Sequence, residues 1–205
     1  MTESTGERET KRAATERAML DAAERLFSER GFETVSVRAI AQAAGVSHAL
    51  VHRYLGSKQE IYRAVMRRNE DLIRDAAGAT EDLGEAISLM LREGLINRRP
   101  YLRLAAHSAL HGLPYDTGIV SFSAVQRLIE LAEARASRAG RVEGIDVEPR
   151  FAIAAIVALN LGWASMEAWL VKAAGLEGLD EEALVARLER VMLYLAAALV
   201  PGDDG

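Results

Sequence analysis

Apolar residues recur at three- and four-residue spacings along most of the chain, and no sustained stretch alternates apolar with polar positions. That is the period of a helix rather than of a strand, and it predicts an all-α protein. Near the start the pattern is cut into short pieces. Leu20, Ala23 and Phe27 form one apolar row and Met19, Ala22 and Leu26 its neighbour, which predicts a helix from about Lys11 to Arg30. Gly31 ends it, as glycine does past a helix C-terminus. Ser36 stands at the N-cap position of "VRAIAQAA", a helix of roughly two turns closed by Gly45. Ser47 is the next N-cap, and a helix from His48 to about Leu55 follows, with Gly56 as the turn. Ser57 and Glu60, in "SKQE", make a capping box that opens a longer helix to about Ala77.

Beyond Thr80 the pieces lengthen. Ala- and Leu-rich helices are predicted at about 82–97, 100–111, 118–139, 149–174 and 180–199, with Leu179 and Leu184 flanking the cap Asp180 as a hydrophobic staple. Pro100, Pro114, Pro149 and Pro201 fall at helix boundaries. The helix near 149–174 is apolar almost around its circumference, and the last helix carries Leu184, Leu188, Val191, Leu195 and Leu199 on one side. A helix apolar all round must be buried on all sides. Two such helices per subunit predict an intersubunit four-helix bundle, with Ile156, Leu159, Trp163, Leu184, Leu188, Val191 and Leu195 at a homodimer interface. The other reading is a core closed within one chain. The most apolar segment, Phe151 to Met166, is shorter than the roughly 20 residues of a membrane span. It contains Asn160 and is followed at once by Glu167. The N-terminus lacks the apolar stretch of a signal peptide. A buried helix in a cytoplasmic protein with no membrane partner is expected.

With 205 residues, half of them hydrophobic, the chain has ample material for a packed core. It has no cysteine, which excludes disulfides, thiolate metal sites and a thiol nucleophile. The net charge of −5 weighs weakly against nucleic acid, but the charge is unevenly spread. Residues 1–69 hold 12 Lys/Arg against 9 Asp/Glu, and the rest 13 against 21. The small basic surplus lies in the part with the short helices.

Two of those helices, joined by Gly45-Val46-Ser47, have the pattern of a helix-turn-helix. Ala41, Gly45 and Val46 are small or apolar where the helices must approach. Leu50, Val51 and Leu55 can face the core, leaving Ser47, His48, Ala49, His52, Arg53 and Tyr54 outside. A recognition helix entering a major groove about 12 Å wide needs small residues at its tip and donors on its flank. The competing reading is a three-helix corner with a merely solvated polar face. His48 and His52, like His107 and His111, are four apart, a ligand spacing, but neither pair has an acidic or thiol neighbour suitably near. No metal or cofactor is expected. Nor is an enzyme: the chain has no Gly-rich phosphate loop, no HExxH and no paired carboxylates in an apolar setting.

The segment "LDAAERLFSERGFETVSVRAIAQAAGVS" followed by "HALVHRYLGSKQEIYRAV" resembles the DNA-binding domain of the TetR family of bacterial transcriptional regulators, over about Arg17 to Arg68. The resemblance implies a two-fold dimer of all-α subunits, each with a small helix-turn-helix domain and a larger ligand-binding and dimerisation domain. The expected organisation is a disordered tail over 1–10, the DNA-binding domain over 11–57, a connecting helix over 58–79, the ligand-binding and dimerisation domain over 80–200, and a tail over 201–205. By position, Ser36, Arg38 and Lys58 would meet phosphate, and His48, Ala49, Arg53 and Tyr54, beside the cap Ser47, base edges or nearby phosphates. The fork of Arg53 matches guanine O6 and N7. The chain departs from the family at His52, commonly a tyrosine, and at Leu55, commonly aromatic. His52 can still donate to phosphate.

The resemblance also implies a pocket in the second half. Asn97, Tyr101, His107, His111, Asn160 and Trp163 are the polar or amphipathic residues set in its apolar helices, and a small, mainly lipophilic effector suits them. The function so implied is a dimeric repressor released by that effector from an inverted-repeat operator in double-stranded DNA. The alternatives are a DNA-binding regulator without a small-molecule inducer and, remotely, an α-helical enzyme.

Overall fold

The computed structural model describes residues 5–110, 122–139 and 147–200, and among them every regular element is helical. In chain order these are α1 (Thr5–Arg30), α2 (Val37–Ala43), α3 (His48–Leu55), α4 (Lys58–Ala77), α5 (Leu83–Arg92), a π-helical turn (Glu93–Asn97), α6 (Arg99–Leu110), α7 (Ser123–Ala139), α8 (Pro149–Ala173) and α9 (Glu181–Leu199). The chain forms two compact units. Residues up to Arg68 together with His107 onward in α6 make the first; 69–106 with the remainder from Ser121 make the second. The unit boundaries therefore fall inside α4 and inside α6, rather than at the expected joints at 57 and 79.

The first unit is held by an aromatic cluster. Phe27, Phe32 and Tyr62 have ring centroids 5.0 to 5.9 Å apart, and Phe27 is fully buried. Met19, Ala23, Ile40, Val51, Ile61 and Val65 complete the core. The buried Tyr62 hydroxyl donates to Ser108 Oγ at 2.6 Å, and burial pushes this phenol above its usual range, partly offset by that bond. Arg68 clips α4 to α1 through Asp21 and Glu24. Gly31, at φ +76, turns the chain where a Cβ would crowd the His107 ring at 3.2 Å. The helix α1 starts at Thr5, so residues 5–10 are helical rather than the expected disordered tail.

In the second unit α5 packs on α7 and α9, and α8 on α7 and α9. The expected helix over 82–97 is α-helical only to Arg92 and finishes as the π-turn. Gly94 lies in that turn, where a Cβ would come within 2.9 Å of Leu102 Cδ1. The buried Glu70 carboxylate accepts from the Tyr101 hydroxyl and from the backbone N–H of Ala124, both at 3.0 Å. A carboxylate from α4 thus caps the N-terminus of α7, and it ties α6 to the same point. Arg99 joins Glu167 on α8 to Glu181 on α9, and Arg103 donates to the Ala164 carbonyl.

The helix α8 is not buried on all sides within the chain. It is long and apolar enough to cross a membrane by length and composition, with an 18-residue window of hydropathy 1.5, yet only 28% of that window is buried. Ala152, Ile153, Ile156, Asn160 and Ala164 face inward. Phe151, Ala154, Ala155, Ala158, Ser165, Met166 and Trp169 are exposed. Their spacing of three, four and seven residues makes one continuous face. On α9, Leu184 and Leu188 are buried, whereas Val191 and Tyr194 are 49% and 74% exposed.

Candidate nucleic-acid interface

The candidate interface is built by short-range devices, each readable in local geometry. Ser36 sits in extended backbone and accepts from the Ala39 N–H at 3.1 Å, which starts α2. α2 ends with the Gly45 N–H on Gln42 O at 3.2 Å and the Val46 N–H on Ala41 O at 3.0 Å, the paired bonds of a Schellman motif. Gly45 has φ +66 with nothing within 4 Å of its would-be Cβ, so glycine is required there for backbone conformation and not for space. Ser47 then accepts from Leu50 N–H at 3.3 Å and starts α3.

Gly56 ends α3 at φ 78, ψ −138, a conformation essentially confined to glycine. A Cβ there would also strike Glu60 Oε2. The capping box forms as expected. Glu60 Oε2 accepts from the Ser57 backbone N–H and from its hydroxyl, both at 2.7 Å, and the Glu60 N–H reaches Ser57 Oγ at 3.3 Å. Those bonds from Ser57, backbone first, hold the Glu60 carboxyl below the usual carboxylate range.

With its ends set, α3 has one orientation. Val51 and Leu55 are buried and anchor the helix. Ser47, His48, Ala49, His52 and Arg53 are exposed on the other side, together with Ser36 and Arg38 from the start of α2. The His48 and His52 rings meet edge to face at 4.6 Å. Small residues at the tip and a row of donors behind them suit a major groove.

Two expected contacts stand differently. Tyr54 is half-buried, and its ring carries the Arg12 guanidinium at 5.2 Å. Lys58 donates to the Glu33 carbonyl at 2.9 Å and lies 4.4 Å over the Phe32 ring. Its ammonium therefore begins pinned to the turn after α1, with two of its three N–H donors still uncommitted by that bond. Arg12 itself was missed in the sequence. Nothing in local periodicity signals that a residue this early meets the third helix.

The expected pocket residues differ in their surroundings. Asn97 is exposed and donates to Glu93 at 2.6 Å. Tyr101 donates to Glu70, Trp163 donates to Glu167 at 3.0 Å, and His107 belongs to the first unit. His111 lies outside the described residues. Asn160 is buried on the inner face of α8 with no hydrogen-bond partner for its Oδ1. A separate open groove of about 700 Å³ in the second unit is lined by Arg74, Asp75, Gly78, Ser123, Gln126, Arg127 and Glu130. Asp75 and Asp71 pair with Arg74 and raise its guanidinium further above an already high range. Such a charged lining suits a lipophilic molecule poorly.

Residues 19–65 match the family model of bacterial regulatory proteins, tetR family, which spans α1 from Met19, the whole helix-turn-helix and the first turns of α4. Over 173 residues the chain is 28% identical to the HTH-type transcriptional repressor Rv3405c of Mycobacterium tuberculosis, covering 82% of this chain and 81% of that one. It is 40% identical over 80 residues to the HTH-type transcriptional regulator BetI of Brucella anthropi, covering 37% and 41% of the two chains. Among solved structures, a TetR-like transcriptional regulator from Rhodococcus sp. RHA1 superposes with TM-score 0.64 at 22% identity, over 92% of this chain and 97% of that one. The fatty acid degradation regulator FadR from Bacillus halodurans superposes with TM-score 0.61 at 20% identity, over 87% and 94%. At these identities the structural likeness carries the fold, an N-terminal helix-turn-helix domain followed by a helical domain.

Proposed function

The chain belongs to the TetR family of bacterial regulatory proteins and is a transcriptional regulator, and from that premise we propose that it is a homodimeric repressor whose α3 reads an inverted-repeat operator. The observation that carries this is the exposed set on α3: Ser47, His48, Ala49, His52 and Arg53 stand outward while Val51 and Leu55 anchor the helix. Arg53 reads a guanine, and Ser36, Arg38 and the backbone N–H groups at the start of α4 meet phosphate. Lys58 joins them by releasing the Glu33 carbonyl or by using its remaining donors.

Dimerisation through α8 and α9 is supported by their uncovered apolar face. A fully buried large apolar side chain contributes about 1.5–3 kcal/mol. Phe151, Met166, Trp169, Val191 and Tyr194, all largely exposed, together offset an association cost of several kcal/mol. The contact would use this outer face. Ile156, Leu184 and Leu188 lie in the core beneath it, and Leu159, Trp163 and Leu195 lie at its edges, half-buried. The same face explains the high apolar content of α8 without a membrane and fits a cytoplasmic protein.

Release by a small effector is the finer part of the reading. α4 contributes residues 58–68 to the first unit and 69–77 to the second, so a ligand that favours a dimer with displaced α4 helices lowers operator affinity. It can do so only by its differential affinity for the two states. Typical coupling of 1–3 kcal/mol gives release by roughly five- to 150-fold. The buried Oδ1 of Asn160 supports a ligand with at least one hydrogen-bond donor. A second reading, a regulator without an inducer, is supported by the internal partners of Tyr101 and Trp163 and by the charged lining of the groove. Calorimetry of a candidate effector with and without bound operator separates the two. Reciprocal weakening is expected for the first, and equal affinities or no binding for the second.

A further inference from the structure

We propose that the DNA-facing surface extends from α3 onto α1, with Arg12 as a phosphate-binding residue that the ring of Tyr54 holds beside the recognition helix. The proposal rests on α3 being the DNA-reading element. α1 runs well beyond the part of it that packs. Residues 9–14 are all exposed, and Met19 is its first buried residue. At about 1.5 Å per residue, roughly 20 Å of helix precedes that anchor. This stretch meets α3 through Arg12: its guanidinium lies 5.2 Å from the centroid of the half-buried Tyr54 ring.

The electrostatics favour an anion at this point. Among the described residues no carboxylate pairs with Arg12, whereas Arg68, Arg92, Arg98, Arg99 and Arg127 each have one. An arginine stacked on an aromatic face keeps its N–H donors directed outward along its edges. That fork matches two phosphate oxygens, and the stack lowers the entropy lost on binding them. Arg53, next to Tyr54 in the chain, is the exposed base-reading candidate, so the stacked cation stands on the same short helix's border. Arg12 thus adds a backbone contact beside the base contact, which sets register without reading sequence. Tyr54 becomes the residue that positions it.

The test is the salt dependence of binding, measured with the full chain on a mixed-sequence duplex about four helical turns long. Wild type, Arg12→Gln, Arg12→Lys and Tyr54→Leu are compared, with melting temperatures recorded for each. Each phosphate contact contributes about 0.9 to the slope of log K against log salt. Arg12→Gln is expected to flatten the slope by about one unit per subunit at an unchanged melting temperature, because the side chain is exposed. Arg12→Lys retains most of the slope, since the charge remains. Tyr54→Leu loses part of it although Arg12 is intact. An Arg12→Gln slope equal to wild type overturns the proposal and leaves the reading of α3 standing. Absence of salt-dependent binding by the wild type overturns both.

Discussion

The helix-turn-helix and the α8–α9 pair are both made of helices, yet their sequences say different things. In α2 and α3 nearly every structural decision is local. Ser36 and Ser47 cap, Gly45 and Gly56 supply backbone conformations that other residues resist, and Val51 and Leu55 choose the inward face. In α8 the apolar pattern runs all round, so it reports burial without saying by what. The structure divides that helix into an inner face closed by its own chain and an outer face left exposed among the described residues. A short helix with caps declares its role; a long apolar one declares only a debt of surface.

Substitutions at the two faces of α9 break that comparison most strongly. Leu188→Glu is expected to unfold the second unit, because it leaves an unpaired charge in a core position, at a cost of several kcal/mol. Val191→Glu, one turn away and half exposed, is expected to leave each subunit folded and convert dimer to monomer. Circular dichroism and sedimentation together distinguish them. A wild type that sediments as a stable monomer at micromolar concentration contradicts the role given to the outer face.

The fold class, the positions of α2, α3 and α4, and the exposed set on α3 were legible because caps and periodicity act over a few residues. Residues 5–10 were expected to be disordered because their polar composition carries no packing signal, and helix extends there regardless. Lys58 and Arg12 escaped for another reason. Their partners, Glu33 with Phe32 and Tyr54, are brought close only by the folding of three helices. Polar groups set in apolar helices suggest a pocket, but such groups can equally serve the core. Tyr101 on Glu70 does so. Glu70 itself, buried between α4, α6 and α7, carried no motif at all.

Smaller effects sharpen the local side of the contrast. Ser47→Ala is expected to cost about 1 kcal/mol of stability in denaturant unfolding, the usual loss of an N-cap, and to weaken DNA binding by fraying the start of α3. Glu60 gives a pH signature. Its folded-state pKa is depressed, so its stabilising bond to Ser57 is present above the unfolded carboxylate pKa and is lost as pH falls through the lower folded value. Glu60→Gln should therefore narrow the gap to wild type as the medium is acidified. A gap that stays constant down through the carboxylate range would remove the capping box from the account. The effect is small, since the group is exposed.

The most direct measurement is selection of duplexes from a pool with a randomised core, carried out with wild type and with Arg53→Ala. The account predicts that wild type enriches an inverted repeat whose half-site centres lie about one helical turn apart, roughly 34–36 Å, or slightly more. Arg53→Ala should bind the enriched sites about 1–3 kcal/mol more weakly and lose preference at one base per half-site, keeping the rest. Enrichment of the same motif to the same depth by Arg53→Ala, or no inverted repeat from the wild type, would contradict the claim that α3 reads DNA as one half of a symmetric pair.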